Sequence, residues 1–319
     1  VQSASNISAF ENKRVLIVGD IILDEFVYGT QQRMSPEHRE VPVLDVLERR
    51  QYLGGAANVA LNIRQLKAIP YLAGTVGKDT AGDAVYRLLH QHDISNEYVH
   101  TNQRQATTHK TRFFRDGQPF CRIDEDGSIE EPELIAHFIL KNVAAAILHH
   151  KPHVMILQDY NKGVLSASVI PPLLALARQH RMLVCVDPKF DNWELYQEAD
   201  LFKPNKAEFD FITSAANKQP EDILKSAAEL RQKIQYKNLL LTLGAEGNFI
   251  ADGQQTSFIS QVTTVENPDV CGAGDTVIAV ASLALACGFP LSDIAALANK
   301  AGAVVCQKKD IQPVQFNEL

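Results

Sequence analysis

In Arg14-Val15-Leu16-Ile17-Val18-Gly19-Asp20, four apolar residues in a row run into a glycine and an acid. An uncharged run closed by turn residues reads as a strand buried on both faces, the kind found in parallel sheets with helices above and below. Working outward, the same unit recurs. Helix 132–149 precedes the strand Val154-Met155-Ile156-Leu157, and helix 166–180 precedes Leu183-Val184-Cys185-Val186. A strand over 200–202, helices over 206–213 and 220–235 and strands over 238–242 and 248–251 follow; helices over 273–287 and 292–307 come last. Nearer the start, Gly54-Gly55-Ala56-Ala57-Asn58 opens a helix through Leu66, Tyr71 to Val76 forms a strand, and Ala81 to His90 a helix. This alternation predicts an α/β fold of three layers, with helices on both faces of a mainly parallel central sheet.

Two segments break the rhythm. Residues 27–47 hold short extended pieces around Pro36 and Pro42, and residues 107–123 read as a hairpin turning at Asp116-Gly117. Together they predict a small β-sheet lid, approximately 29–51 and 104–127, inserted into one domain that spans 1–319.

Composition narrows the function. The chain has 319 residues, 45% hydrophobic and 22% charged, ordinary values for a folded protein. A formal net charge of −7 argues against nucleic acid or an anionic membrane as partner, so an anionic ligand needs a local cluster of Lys and Arg. Five scattered cysteines without a Cys-x-x-Cys pair argue against a disulfide framework and a structural zinc site. The leading residues are polar and lack an apolar signal core, and no run reaches the length of a membrane span; the expected compartment is the cytoplasm.

A dinucleotide fingerprint is missing after the first strand, and Gly74-Thr75-Val76-Gly77-Lys78-Asp79 fails the Walker spacing. The chemistry lies in Asp269-Val270-Cys271-Gly272-Ala273-Gly274-Asp275-Thr276, just ahead of an apolar helix. Two glycines one residue apart let backbone N–H groups converge at a helix N-terminus, where the dipole favours an anion such as phosphate. A carboxylate placed there repels phosphate unless it accepts a proton from an attacking hydroxyl, which makes Asp275 the candidate base and the amides of Gly272, Ala273 and Gly274 the candidate anion hole. A glycine-rich N-cap, with Asp275 merely favourable to the dipole, fits the same residues.

Through these residues and the segments that follow, the chain resembles the ribokinase-like (PfkB) carbohydrate kinases. Gly272-Ala273-Gly274-Asp275 resembles their C-terminal signature and Gly54-Gly55-Ala56-Ala57-Asn58-Val59-Ala60 their N-terminal one. Asp20 and Asp24 resemble their sugar-binding acids, Lys203-Pro204-Asn205-Lys206-Ala207-Glu208 their segment near Mg²⁺ and the ATP phosphates, and Thr242-Leu243-Gly244-Ala245-Glu246-Gly247 their nucleotide segment. The matches run in order along nearly the whole chain. Within that family, Arg33-Met34-Ser35-Pro36-Glu37, Asp159-Tyr160-Asn161-Lys162-Gly163 and Asp187-Pro188-Lys189 resemble the D-glycero-D-manno-heptose 7-phosphate kinases, which phosphorylate O1 on the route to ADP-heptose and lipopolysaccharide.

The resemblance implies ATP and Mg²⁺ as cofactors and a sugar phosphate as substrate. It implies sugar contacts from Asp20, Asp24, Gly54, Gly55, Asn58 and Asp159, although a strand-end turn for Asp20 and a helix cap for Asn58 fit too. Carboxylates and amides suit hydroxyl donors, and Arg33, Lys110, Arg112, Arg122 and Lys162 suit a phosphate, against the plain alternative of a solvated lid face. Nucleotide contacts are implied for Asn205, Lys206, Ala207, Thr242, Gly244, Gly247 and Asn299, with Glu208 ordering Mg²⁺ through water; Asn205 and Glu208 also form a natural capping box. A homodimer through the lid is implied as well.

The sequence departs from the pattern in places. Cys271 replaces a hydroxyl residue, Gln158 a serine and Phe190 a glycine, and the tail Cys306 to Ile311 lacks the motif near the family's monovalent-cation site, which speaks against potassium activation. Two rivals therefore stand beside the heptose reading: a kinase for another small sugar or a nucleoside, and a sugar-phosphate-binding regulator without catalysis.

Overall fold

Successive residues of β1 (Arg14–Gly19) point to opposite faces of the sheet, and both faces are dry. Val15 and Ile17 pack into one core with α1 (Ala56–Gln65), α2 (Thr80–Gln91), α7 (Ala273–Ala286) and α8 (Leu291–Cys306), while Leu16 and Val18 pack into a second core with α3 (Pro132–His150), α4 (Ile170–Gln179), α5 (Lys206–Thr213) and α6 (Pro220–Ile234). In this computed structural model, residues 6–127, 129–216, 219–260 and 268–319 are described, and no helix among them is long and apolar enough to cross a membrane. The leading residues 1–5 lie outside the described set.

Between the two helical layers runs a nine-stranded sheet. Its strands are β1, β4 (Ile69–Gly77), β5 (Tyr98–Asn102), β8 (Val154–Gln158), β9 (Leu183–Asp187), β10 (Leu201–Phe202), β11 (Asn238–Thr242), β12 (Asn248–Ala251) and β13 (Thr256–Ile259), in the order β13-β12-β11-β10-β9-β8-β1-β4-β5. All neighbours pair in parallel except β11–β12 and β12–β13, which are antiparallel. The expected α/β architecture is therefore present, with β5 and β13 as edge strands that the sequence pattern did not announce.

The second sheet has four strands in the order β3-β2-β6-β7: β2 (Ile21–Met34), β3 (Pro42–Gly55), β6 (Thr108–Arg115) and β7 (Gln118–Glu125). Where short pieces were expected within 27–47, β2 and β3 are 14 residues each. Strand β2 continues β1 with Asp20 alone between them, and β3 runs directly into α1, so the second sheet grows out of the carboxyl edge of the first. Ligands of open α/β sheets bind at that edge, where the strand order reverses. Here β1 passes to β4 on one side and lies beside β8 on the other, and Gly19, Gln158 and Asp187 lie in register across the edge.

Candidate active site

Asp275 lies in the first turn of α7 and is 2% exposed. Three neutral donors converge on it. Asn58 Nδ2 donates to Oδ2 (2.8 Å), while Gln158 Nε2 (3.0 Å) and the Tyr160 hydroxyl (2.8 Å) donate to Oδ1. Burial pushes its carboxyl up to about 7, against the pull of Asn58 and Tyr160 and with help from the nearby charges of Asp187 and Asp24. A carboxylate poised near neutrality is suited to taking a proton. The turn in front of it depends on Gly272, whose φ of +74° is left-handed and whose missing Cβ would stand 2.6 Å from Asn58 Nδ2. Of the first-turn amides, that of Ala273 points back to the Val270 carbonyl (3.3 Å); those of Gly274 and Asp275 follow at the head of α7.

Asp20 takes a different part from the expected sugar contact. Its carboxylate accepts backbone N–H bonds from Tyr160 (2.8 Å), Lys162 (3.1 Å) and Val164 (3.1 Å), and so shapes the loop after β8. Asp159 is likewise turned inward, taking Asn161 N (2.8 Å) and the Tyr196 hydroxyl (2.6 Å). Burial, then the charge of Asp20, raises Asp159 to about 7. Both acids organise the loop that presents Tyr160 and Lys162.

Strand alternation and register assemble the second-sheet side. Asp24 on β2 lies opposite Lys110 on β6 and Tyr52 on β3, and Arg112 lies opposite Arg122 on β7. Arg112 pairs with Asp24 and stacks over Phe26, Arg122 pairs with Asp124 (2.6 Å), and Lys162 pairs with Asp126 (2.7 Å). Burial pulls Lys110 below the usual lysine value. Any Cβ at Gly54 would run into the Asp24 carboxylate, and Gly55 sits where β3 meets α1, against the Asp20 carbonyl. Arg33 does not join this cluster. It is exposed and nine residues beyond Asp24 on the same strand, roughly 30 Å away at ~3.3 Å per residue.

On the other side of Asp275 a cleft of about 700 Å³ opens, a size suited to a nucleotide. Asn205, Lys206, Ala207, Thr242, Gly244, Gly247 and Asn299 all line it, together with Gly272 and Gly274. Glu208 stands behind this wall: Asn205 caps α5 in a capping box with it, and its other oxygen pairs with Lys189. Lys203 and Asp187 form a buried ion pair (3.0 Å) at the cleft. Cys271 keeps its proton, since burial raises its thiol to about 12.

The tail ties the two sides together. Asp310 accepts hydrogen bonds from Tyr28, Arg50 (2.9 Å) and Tyr52 (2.9 Å) of the second sheet, and its own amide donates to Asp269 Oδ2 (3.1 Å). The other oxygen of Asp269 accepts from Cys271 N (3.1 Å), inside the glycine turn.

Gln158, Tyr160, Asp187, Lys189 and Lys203 are the site residues that motif reading did not single out. The last four lie inside the family-like segments and Gln158 stands out only as a departure; the signal that could have found them is their position at or just past strand ends.

A buried carboxylate behind a glycine turn, with a nucleotide-sized cleft on one side and a face of mixed charge on the other, is an arrangement suited to phosphoryl transfer. Residues 12–315 match the pfkB family of carbohydrate kinases. The bifunctional protein HldE of Methylobacillus flagellatus is 34% identical over 307 residues, 96% of this chain and 62% of the relative. That of Helicobacter pylori strain P12 is 35% identical over 314 residues, 96% of this chain and 66% of the relative. The chain thus spans under two thirds of the length of these relatives. The fold is that of Escherichia coli phosphofructokinase-2 in complex with fructose-6-phosphate (TM-score 0.77, 17% identity, 96% of each chain). It also matches Arabidopsis thaliana ribokinase complexed with ribose and ATP (TM-score 0.72, 18% identity, 97% of this chain and 96% of that one). This chain belongs to the pfkB family of carbohydrate kinases and has the ribokinase-like fold. It is a sugar kinase.

Proposed function

We propose that the chain transfers the γ-phosphoryl group of ATP to O1 of D-glycero-D-manno-heptose 7-phosphate, in the cytoplasm, as a step toward ADP-heptose and lipopolysaccharide. The observation that carries this reading is the cationic group Lys110, Arg112, Arg122 and Lys162, gathered around Asp24 within reach of a sugar whose hydroxyl meets Asp275. Four cations set among three acids, Asp24, Asp124 and Asp126, leave a surplus of positive charge that fits an acceptor already bearing a phosphate. Likeness to the HldE proteins supports the heptose.

In the reaction, Asp275 takes the proton of the acceptor hydroxyl as the new O–P bond forms in line with the breaking bond between Pγ and the bridging oxygen, and ADP leaves. Asn58 and Gln158 hold the carboxylate in place. The amides of Gly274 and Asp275 at the head of α7 and the nearby Lys203 receive charge on the transferred group. Asp24 orients the sugar and the second sheet excludes water as a lid. Mg²⁺ suits the residues present as an ion carried by the nucleotide phosphates: the described residues hold no group of three or more likely metal ligands, and both Glu208 oxygens are already engaged. Asp187, which lines the cleft, would help to hold its water shell, Glu208, buried and engaged at both oxygens, would join only by giving up Lys189, and the ion when bound would neutralise phosphate charge.

ADP release with Mg-ATP across heptose 7-phosphate, fructose 6-phosphate, fructose, ribose and adenosine tests the assignment. A strong preference for heptose 7-phosphate is expected. Preference for another acceptor discards the heptose, and binding without turnover by folded protein favours the regulator.

The same reading includes a homodimer through the second sheet. Strand β7 is exposed along its whole length, and Leu47, at the bulge of β3, is 72% exposed beside Val46. Unpaired edges with apolar neighbours call for a cover. Sedimentation at micromolar concentration is expected to give twice the chain mass, and Leu47→Asp to lower it; a monomer for the unaltered chain at that concentration sinks the dimer.

A further inference from the structure

Tyr160 stands where the two halves of the site touch. Asp20 fixes its backbone amide (2.8 Å), its hydroxyl donates to Asp275 Oδ1 (2.8 Å), and the ammonium groups of Lys110 and Lys189 lie over its ring, 4.9 and 5.1 Å from the centroid. Lys110 belongs to the second sheet, whereas Lys189 lines the nucleotide cleft and pairs with Glu208. One side chain therefore touches the candidate base, a cation of the acceptor side and a cation of the nucleotide side. A phenol suits all three contacts: its face attracts cations and its hydroxyl is a donor. Burial holds this hydroxyl far above its ordinary pKa, so it stays a neutral donor.

We propose that Tyr160 is a positioning residue that orients the Asp275 carboxylate for proton abstraction and holds the two ammonium groups at fixed stations around it. The proposal rests on the reading of Asp275 as the base. Groups facing Asp275 come from several elements: Asn58 from α1, Gln158 from β8, Asp24 from β2, Asp187 at the end of β9 and Lys189 beyond it. Arg112 pairs with Asp24 and Lys203 with Asp187, so the two acids are themselves partly offset. Burial and these acids favour the protonated form of Asp275, and Asn58 and Tyr160 favour the ionised one. Loss of the phenol donor must therefore move the titration of Asp275 upward.

Tyr160→Phe keeps the ring and removes the donor. A hydrogen bond to a charged group is worth about tenfold, or about one pKa unit. The readout is ¹³C NMR of protein labelled at its aspartate carboxyls, with Asp275→Asn identifying the resonance. Asp275 is expected to titrate about one unit higher in the Phe variant. Its kcat/KM, measured with the acceptor that the panel selects, is expected to fall about tenfold at pH 6 and to recover at pH 9. Tyr160→Leu also lacks the donor, so its Asp275 resonance must move as well, and without the ring its KM for ATP and for the acceptor is expected to rise several-fold at every pH. An Asp275 titration unmoved in both folded variants overturns the proposal. The NMR titration needs no acceptor, so a failed heptose assignment leaves it decisive, and the base role itself is judged separately by the turnover of Asp275→Asn.

Discussion

Asp275→Asn is expected to lower kcat by about 10²–10⁴-fold while KM for ATP stays within a few-fold, the signature of a lost general base rather than a lost binding contact. The exchange is nearly isosteric, yet the chemistry inverts on one side. Asn58, Gln158 and Tyr160 all donate to the carboxylate, so the new amide must set its own NH₂ against a donor. Some stability is lost for that reason, about 1–3 kcal/mol for one mismatched buried group, and thermal unfolding separates this loss from the catalytic one. The unaltered enzyme supplies a second check. With Asp275 held up to about 7 by burial, activity must climb as pH rises through 7 and level off above it, because only the ionised form accepts a proton. Near-normal turnover by a folded Asp275→Asn protein removes the carboxylate from the mechanism.

Arg112→Ala is expected to raise KM for a phosphorylated acceptor by ~10–100-fold, the loss of one charge-assisted contact, with a smaller effect on the unphosphorylated sugar. The guanidinium is mostly buried against Phe26 and pairs with Asp24, so its removal also leaves a buried carboxylate without its counter-ion. That second loss touches every acceptor alike. The informative number is therefore the ratio of kcat/KM values for heptose 7-phosphate and unphosphorylated heptose, and Arg112→Lys is expected to restore part of it because Lys keeps the charge without the fork. An unchanged ratio in Arg112→Ala would falsify a phosphate-binding role for this face.

The main sheet was legible because β1, β8, β9 and β11 are short apolar runs with both faces buried. Strands β2 and β3 were not, since Glu48-Arg49-Arg50-Gln51 on a solvated stretch of β3 has the composition of a loop, and edge strands β5 and β13 carry too few apolar residues to show alternation. Within the site, the glycine turn announced itself through Gly272, where a left-handed backbone and a close approach leave no room for a Cβ. Tyr160 and Gln158 did not, because a glutamine at a strand end and a tyrosine just beyond it carry no signature of their own until the fold brings α7 to them. Asp20 and Arg33 show the opposite failing. Residue type suggested a ligand contact for each, but backbone amides claim the first and strand length carries the second away.

Asp310 joins second sheet and glycine turn by a chain of bonds only a few links long. Strands β2 and β3 cannot shift against the head of α7 without either breaking those bonds or dragging the turn along. The two sides of the site are thus geared together: a change in the posture of the second sheet is mechanically registered at the glycine turn ahead of Asp275.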